Sequence, residues 1–150
     1  MRTVYYVRGL PGSGKTTTAN ALYDALGYAA TAAADDYFDR LGGFNPTRLP
    51  DAHRDCMARA SVALREGRDV VLHNTFTKNW ELQGYARALP EHKVVVVDIY
   101  DGGLDDKALT RRNTHGVPEH TIRRMRACYQ PVDMAALYEC ALSPATNKID

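Results

Sequence analysis

The octapeptide Gly9-Leu10-Pro11-Gly12-Ser13-Gly14-Lys15-Thr16 constrains this chain more than any other segment, because the spacing G-x-x-x-x-G-K-[ST] belongs between a β-strand and a helix. Its glycines allow left-handed backbone angles, so that successive N–H groups turn inward around a phosphate. Lys15 brings a point charge to the β- and γ-phosphates, Thr16 brings a hydroxyl to a metal ion, and the following helix directs its positive end at the same anion. The expected ligand is a nucleoside triphosphate, ATP, with Mg²⁺. Gly12, Ser13, Gly14, Lys15, Thr16 and Thr17 form its expected cradle, and Thr16 is the expected metal ligand.

The flanks of the loop agree with this reading. Residues 3–7 are a short β-rich run, and residues 16–26 carry Ala19, Leu22, Tyr23 and Leu26 at helical spacing, closed by Gly27. Residues 28–34 form a second apolar run, ending in Asp35-Asp36. Residues 41–50 read as a loop with two glycines and two prolines. Asp51 can cap a helix to about residue 66, with Ala52, Cys56, Ala60, Ala63 and Leu64 as its inner stripe. Residues 69–72 are a strand ending at His73-Asn74-Thr75, and Thr77 can cap a helix over 78–89. The run Val94-Val95-Val96-Val97 in 93–100 reads as a central strand buried on both faces. Helices are expected over 104–112 and 119–129, joined by a turn, while 134–142 is open between a short helix and an edge strand.

Strand–helix alternation around a phosphate loop predicts an α/β fold: a doubly wound parallel sheet of the P-loop NTPase/kinase type with a helical lid. One domain over 1–142 and a loose tail over 143–150 follow from the 150-residue length. A formal net charge of +1 favours no class of partner, and no apolar run approaches a membrane span. With no signal peptide evident and Cys56, Cys128 and Cys140 odd in number and widely spaced, a cytoplasmic protein whose cysteines are buried is expected.

In such sheets ligands bind beyond the carboxyl ends of the strands. Switch GTPases, motors and kinases share the phosphate loop, so the rest of the chain must choose among them. Short length, an expected lack of the N-K-x-D base-reading motif of GTPases, a carboxylate at the second strand end and a basic helix–turn–helix late in the chain favour a kinase. Transfer to a hydroxyl needs a group to take its proton and cations to neutralise the moving phosphoryl group. Asp35 is the candidate base. Arg111 and Arg112 are the candidate lid cations, with Arg123, Arg124 and Arg126 behind them. Lys15, Asp35 and Arg112 therefore make up the catalytic set. Asp98 imitates a Walker B carboxylate, but it ends the fourth strand, whereas the metal-facing carboxylate of small P-loop kinases ends the third. Here that position holds His73-Asn74.

The combination of Gly9 to Thr16, Ala34-Asp35-Asp36-Tyr37-Phe38, Phe44-Asn45-Pro46, Ala52-His53, Asn74-Thr75, Trp80-Glu81 and Arg112-Asn113-x-His115-Gly116-Val117-Pro118 resembles the ATP-dependent polynucleotide-kinase-like P-loop family. That family includes the kinase domain of a phage polynucleotide 5′-hydroxyl kinase and a similar domain in a eukaryotic ubiquitin-ligase-binding protein. The resemblance implies Asp35 as general base toward a 5′-hydroxyl, Lys15 and Thr16 on ATP-Mg²⁺, and the Arg112 region as lid. Two departures matter. Phe38 stands where the phage enzyme has an arginine for the substrate phosphate, and His73-Asn74 replaces an expected aspartate. Phe38 could instead stack on a base.

Asp36, Phe38 and Asn74 are accordingly expected on the substrate side. The leading expectation is ATP-dependent phosphorylation of a nucleic acid or nucleotide hydroxyl, foremost a polynucleotide 5′-OH. The alternatives are a kinase for a hydroxymethylated DNA base or small hydroxylated metabolite, and a nucleotide-binding regulatory module without turnover.

Overall fold

The computed structural model describes residues 1–143; the expected tail, apart from Ser143, lies outside the described residues. Four parallel strands make one sheet: β1 (Thr3–Gly9), β2 (Ala29–Ala32), β3 (Asp69–Asn74) and β4 (Lys93–Tyr100), in the order β2-β3-β1-β4. The helices are α1 (Lys15–Leu26), α2 (Asp35–Leu41), α3 (Leu49–Arg65), α4 (Asn79–Ala88), α5 (Asp106–Arg112), α6 (Glu119–Cys128) and α7 (Met134–Leu142), with a 3₁₀ turn at Pro46–Arg48.

Successive β1 side chains point to opposite faces and meet different layers. Tyr5 and Val7 pack with Ala19, Leu22 and Leu26 of α1. Val4 and Tyr6 join the larger core under α3, α4 and α7, which takes in Cys56, Ala60, Ala63 and Leu64 of the expected α3 stripe, while Ala52, also buried, packs with Ala34 and Phe38. With helices on both faces, the sheet is doubly wound. The strands run in register, Val4 beside Val70 and Val94, so their carboxyl ends lie along one edge. In that register Arg8 falls between Asn74 and Asp98.

Several local expectations need correcting. The valine run is not a central strand: β4 is bonded only to β1, and Val95 is 40% exposed. A continuous apolar run signals burial on both faces only if helices cover both; α7 packs on β4, while on the α1 side Val97 and Ile99 are only partly buried. Residues 134–142 are helical, with the Asp133 carboxylate accepting from the Ala136 N–H. Helix α3 starts at Leu49 rather than at Asp51, because Pro50 fits a first-turn position. Helix α4 starts at Asn79. There the Glu81 carboxylate reaches back to the Lys78 N–H at 3.0 Å, and Thr77 donates its hydroxyl to that carboxylate instead of capping the helix. Cys128 is exposed rather than buried.

Candidate functional site

The phosphate loop leaves β1 and enters α1 with Gly12 at φ 80° and Gly14 at φ 104°. Both angles are strained for a residue with a Cβ. Gly12 has a second reason to be glycine, since a Cβ there would lie 2.4 Å from the Leu109 carbonyl oxygen of α5. The loop is thus packed beneath the α5–α6 hairpin. Its other flank is held by the β4–α5 turn, where the Leu10 N–H donates to the Tyr100 carbonyl at 2.7 Å.

The loop residues fit a polyanion. The Ser13 hydroxyl is buried and has no hydrogen-bond partner, a costly state that a phosphate oxygen would relieve. Lys15 donates to the Leu10 carbonyl across the loop at 3.0 Å. Burial pulls its ammonium down to about 8, against the opposing attraction of Asp35. Thr16 and Thr17 are exposed at the start of α1. Among the described residues no cluster of three His, Cys, Asp or Glu side chains could hold a metal ion by itself. A divalent cation at this site would therefore depend on Thr16 and on phosphate oxygens.

Asp35 opens α2, just past the end of β2, and its side chain is 52% exposed. Its backbone is fixed by its neighbours. The Asn74 side-chain oxygen accepts from the Ala34 N–H at 2.9 Å, and the Asp36 carboxylate accepts from the Ala33 N–H at 3.1 Å. Arg59 of α3 clamps the same corner, donating to Asp36 at 3.2 Å and to the Ala33 carbonyl at 3.0 Å. Asp36 and Asn74, expected to touch substrate, are thus engaged in holding Asp35. Asn74 also meets the Tyr85 hydroxyl, which in turn bonds the His53 ring at 2.7 Å. Burial lowers both His53 and His73 below the usual imidazole range, which keeps them neutral.

A cavity of about 410 Å³ opens beside Asp35. Asp35 and Asp39, one helical turn apart on α2, form one wall; Gly42, Gly43 and Phe44 line the next; Thr114 and His115 of the α5–α6 loop close the far side. Phe38 borders the cavity but is only 4% exposed, packed with Ala34 and Ala52 and edge-on to Phe44 at 4.9 Å. Its faces are covered, so the ring free to stack is Phe44, at 60% exposure.

The expected lid is the α5–α6 hairpin. Arg111 and Arg112 are exposed at the end of α5, and neither makes a hydrogen bond or ion pair among the described residues. Arg126 is not available in this way: it bonds Asp101, Asp106 at 2.8 Å and the Leu104 carbonyl at 2.9 Å, tying α6 to α5. Arg123 pairs with Glu119 and Asp106. The turn between the helices is organised by Asn113, whose side chain bonds the Thr110 and Val117 carbonyls and the Val117 N–H. This turn brings the His115 Nε2 to 3.2 Å from the Asp35 Oδ2.

Sequence reasoning missed Arg8, which is completely buried at the end of β1. Its guanidinium donates to the Phe76 carbonyl at 2.8 and 3.0 Å, to the Thr77 carbonyl at 3.2 Å and to Asp98 at 2.9 Å, and lies 4.0 Å from the Tyr129 ring centre. Asp98 is a structural partner of Arg8 and Tyr129. An arginine inside an apolar strand was the available signal. A second oversight is Asn147-Lys148-Ile149-Asp150, which spells the guanine-reading pattern N-K-x-D but lies outside the described residues.

A parallel sheet with a phosphate loop after β1 and a helical hairpin over that loop defines a kinase-type, nucleotide-binding P-loop domain. Residues 4–132 match the family described as AAA domain, and the chain belongs to that family. Human NEDD4-binding protein 2 is 34% identical over an alignment of 131 residues that covers 83% of this chain and 7% of that protein. This chain therefore corresponds to a small part of that relative. Among solved structures, a chain of the Pnkp1/Rnl/Hen1 RNA repair complex superposes with a TM-score of 0.66 at 15% identity, covering 86% of this chain and 44% of the other. A gluconokinase from Sinorhizobium meliloti 1021 superposes with a TM-score of 0.53 at 17% identity, over 95% and 92%. At these identities the superpositions speak for the fold alone. Among the described residues no helix is long and apolar enough to cross a membrane.

Proposed function

We propose that this domain transfers the γ-phosphoryl group of ATP to a hydroxyl, with Asp35 as general base and a polynucleotide 5′-OH as the acceptor. The observation that carries the reading is the neighbourhood of Asp35. It is a partly exposed carboxylate at the edge of a cavity, close enough to Lys15 for its negative charge to favour the ammonium there. Base and phosphate lysine therefore share one site. In the reaction the acceptor oxygen bonds to phosphorus as the bridge to the β-phosphate breaks. The acceptor proton passes to Asp35, and ADP leaves. Lys15 neutralises the triphosphate, and Thr16 is the residue that would hold Mg²⁺, which adds charge neutralisation when bound. Arg111 and Arg112, unpaired among the described residues, supply cations from the lid.

The acceptor class draws on the polynucleotide-kinase-like motifs. A second reading, a small hydroxylated metabolite or a hydroxymethylated base, is favoured by the cavity walls. These carry Asp35 and Asp39 but no lysine or arginine, and Phe38 lies beneath them. Such a wall grips no phosphodiester. Incubation with γ-labelled ATP, Mg²⁺ and paired oligonucleotides, one 5′-hydroxyl and one 5′-phosphorylated, tests the first reading. Label on the first alone supports it. Label on neither, with transfer to nucleosides, hydroxymethylpyrimidines or sugars, replaces it by the second. Transfer abolished by Asp35→Asn would exclude a purely regulatory nucleotide-binding module.

A further inference from the structure

We infer that His115 is a positioning residue for Asp35, holding one carboxylate oxygen from the lid so that the other is left for the acceptor's proton. The inference rests on the reading of Asp35 as base. Its ground is a contact between elements far apart in the chain: Nε2 of His115 lies 3.2 Å from Oδ2 of Asp35, within ion-pair reach, and no other side chain among the described residues pairs with that carboxylate. A carboxylate at the first position of a short helix, half exposed, rotates freely unless something holds it. None of the bonds that fix the Asp35 corner reaches its own side chain, because Asn74, Asp36 and Arg59 grip only the backbone around it or one another. His115 is the group that orients the carboxylate itself.

The His115 loop is built for this contact. Asn113 donates to the Thr110 carbonyl at 2.8 Å and to the Val117 carbonyl at 3.2 Å, and accepts from the Val117 N–H at 2.9 Å. The bonds to Val117 close the loop over Asn113 to Val117, and Gly116 at φ 70° reverses the chain just after the histidine. The imidazole is thereby held out from a braced turn. A ring nitrogen at this distance attracts the carboxylate and limits how it can turn. The contact joins the α5–α6 loop to α2, so His115 links the hairpin over the phosphate loop to the base. Thr114 and His115 line the acceptor cavity together with Asp35 and Asp39 of α2, so the same loop forms part of the acceptor's surroundings.

The test uses the whole chain as wild type, His115→Ala, His115→Gln and Asp35→Asn. Each is given γ-labelled ATP, Mg²⁺ and a panel of acceptors: 5′-hydroxyl DNA and RNA oligonucleotides, nucleosides, a hydroxymethylpyrimidine nucleoside and simple sugars. On whichever acceptor takes label, His115→Ala should lower kcat about tenfold to a hundredfold, the usual scale for a misaligned group, while KM for ATP stays within about twofold. His115→Gln should recover most of the loss, since its amide N–H can reach the same oxygen. His115 is 43% exposed, so neither substitution removes core packing. Unchanged kcat in His115→Ala, or a glutamine variant no better than alanine, overturns the inference while an inactive Asp35→Asn leaves the base standing. Full activity in Asp35→Asn, or a wild type that binds ATP and labels no acceptor, overturns the underlying reading and this inference with it.

Discussion

Replacing Arg8 by methionine removes a charge from the centre of the fold while keeping most of its stem. The guanidinium makes four hydrogen bonds, and two of them serve the Phe76 carbonyl. Methionine returns no donor, so the Phe76 carbonyl loses both of these partners in a place where Phe76 itself is 1% exposed. Asp98 is better protected. It is 38% exposed on the solvent side and keeps the Tyr129 hydroxyl and the Tyr100 N–H. Breaking one side of a buried ion pair costs about 3–5 kcal/mol, and the partial hydration of Asp98 puts this case near ~3. For a domain of this size that is a fall in Tm of about 6–12 °C, taken from a total stability of about 5–15 kcal/mol. Equilibrium unfolding in urea, followed by far-ultraviolet circular dichroism, measures it, with the slope m unchanged. Asp98→Asn keeps an acceptor oxygen but leaves the fully buried Arg8 guanidinium without a counter-charge, and should cost about 2–3 kcal/mol. If Arg8→Met came within about 0.5 kcal/mol of wild type, or proved more stable, the buried charge would be replaceable by apolar packing, and the network would not be what joins the strand ends.

The phosphate loop offers further tests. Gly12→Ala combines a positive φ with a Cβ 2.4 Å from the Leu109 carbonyl, and should cost about 2–4 kcal/mol in urea unfolding while weakening nucleotide binding. Lys15 sits near 8 in the free protein because burial opposes its charge, and a bound triphosphate would favour the charged form. Nucleotide binding at pH 8–9 should therefore take up protons, read in calorimetry as a dependence of the enthalpy on buffer ionisation that vanishes near pH 6, where the lysine is charged throughout. For the same reason its penalty on folding is full below about 8 and fades as pH rises toward 10.5, so this group's contribution raises stability with pH across that window. Arg112→Ala should lower kcat more than ATP affinity in steady-state kinetics, and an unchanged kcat would remove Arg112 from the lid role. Asp35→Asn should leave ATP affinity intact and cost about 10²–10⁴ in rate.

What could be read from the sequence was what depends on neighbours along the chain. The octapeptide at Gly9 to Thr16 specifies strand, turn and helix together, because its glycines, lysine and threonine act within one loop. The inner stripe of α3 was legible for a similar reason: helical period converts spacing into a face, and all five residues are buried. The end of the second strand was legible as the locus of a carboxylate. Tertiary structure decided what depends on residues meeting across the sheet. The four valines carry no mark saying whether another strand lies beside them, and β4 turned out to be an edge. Asp35 and Asp36 are adjacent and chemically alike, yet Arg59, 23 residues away, claims one, while His115, from the lid, meets the other. Arg8 fell outside any motif because its partners, Phe76, Thr77 and Asp98, come from other strand ends. Local spacing determines which backbone shapes are possible. Which polar groups are buried, paired or left open to a ligand is settled only when distant segments share one side of the sheet.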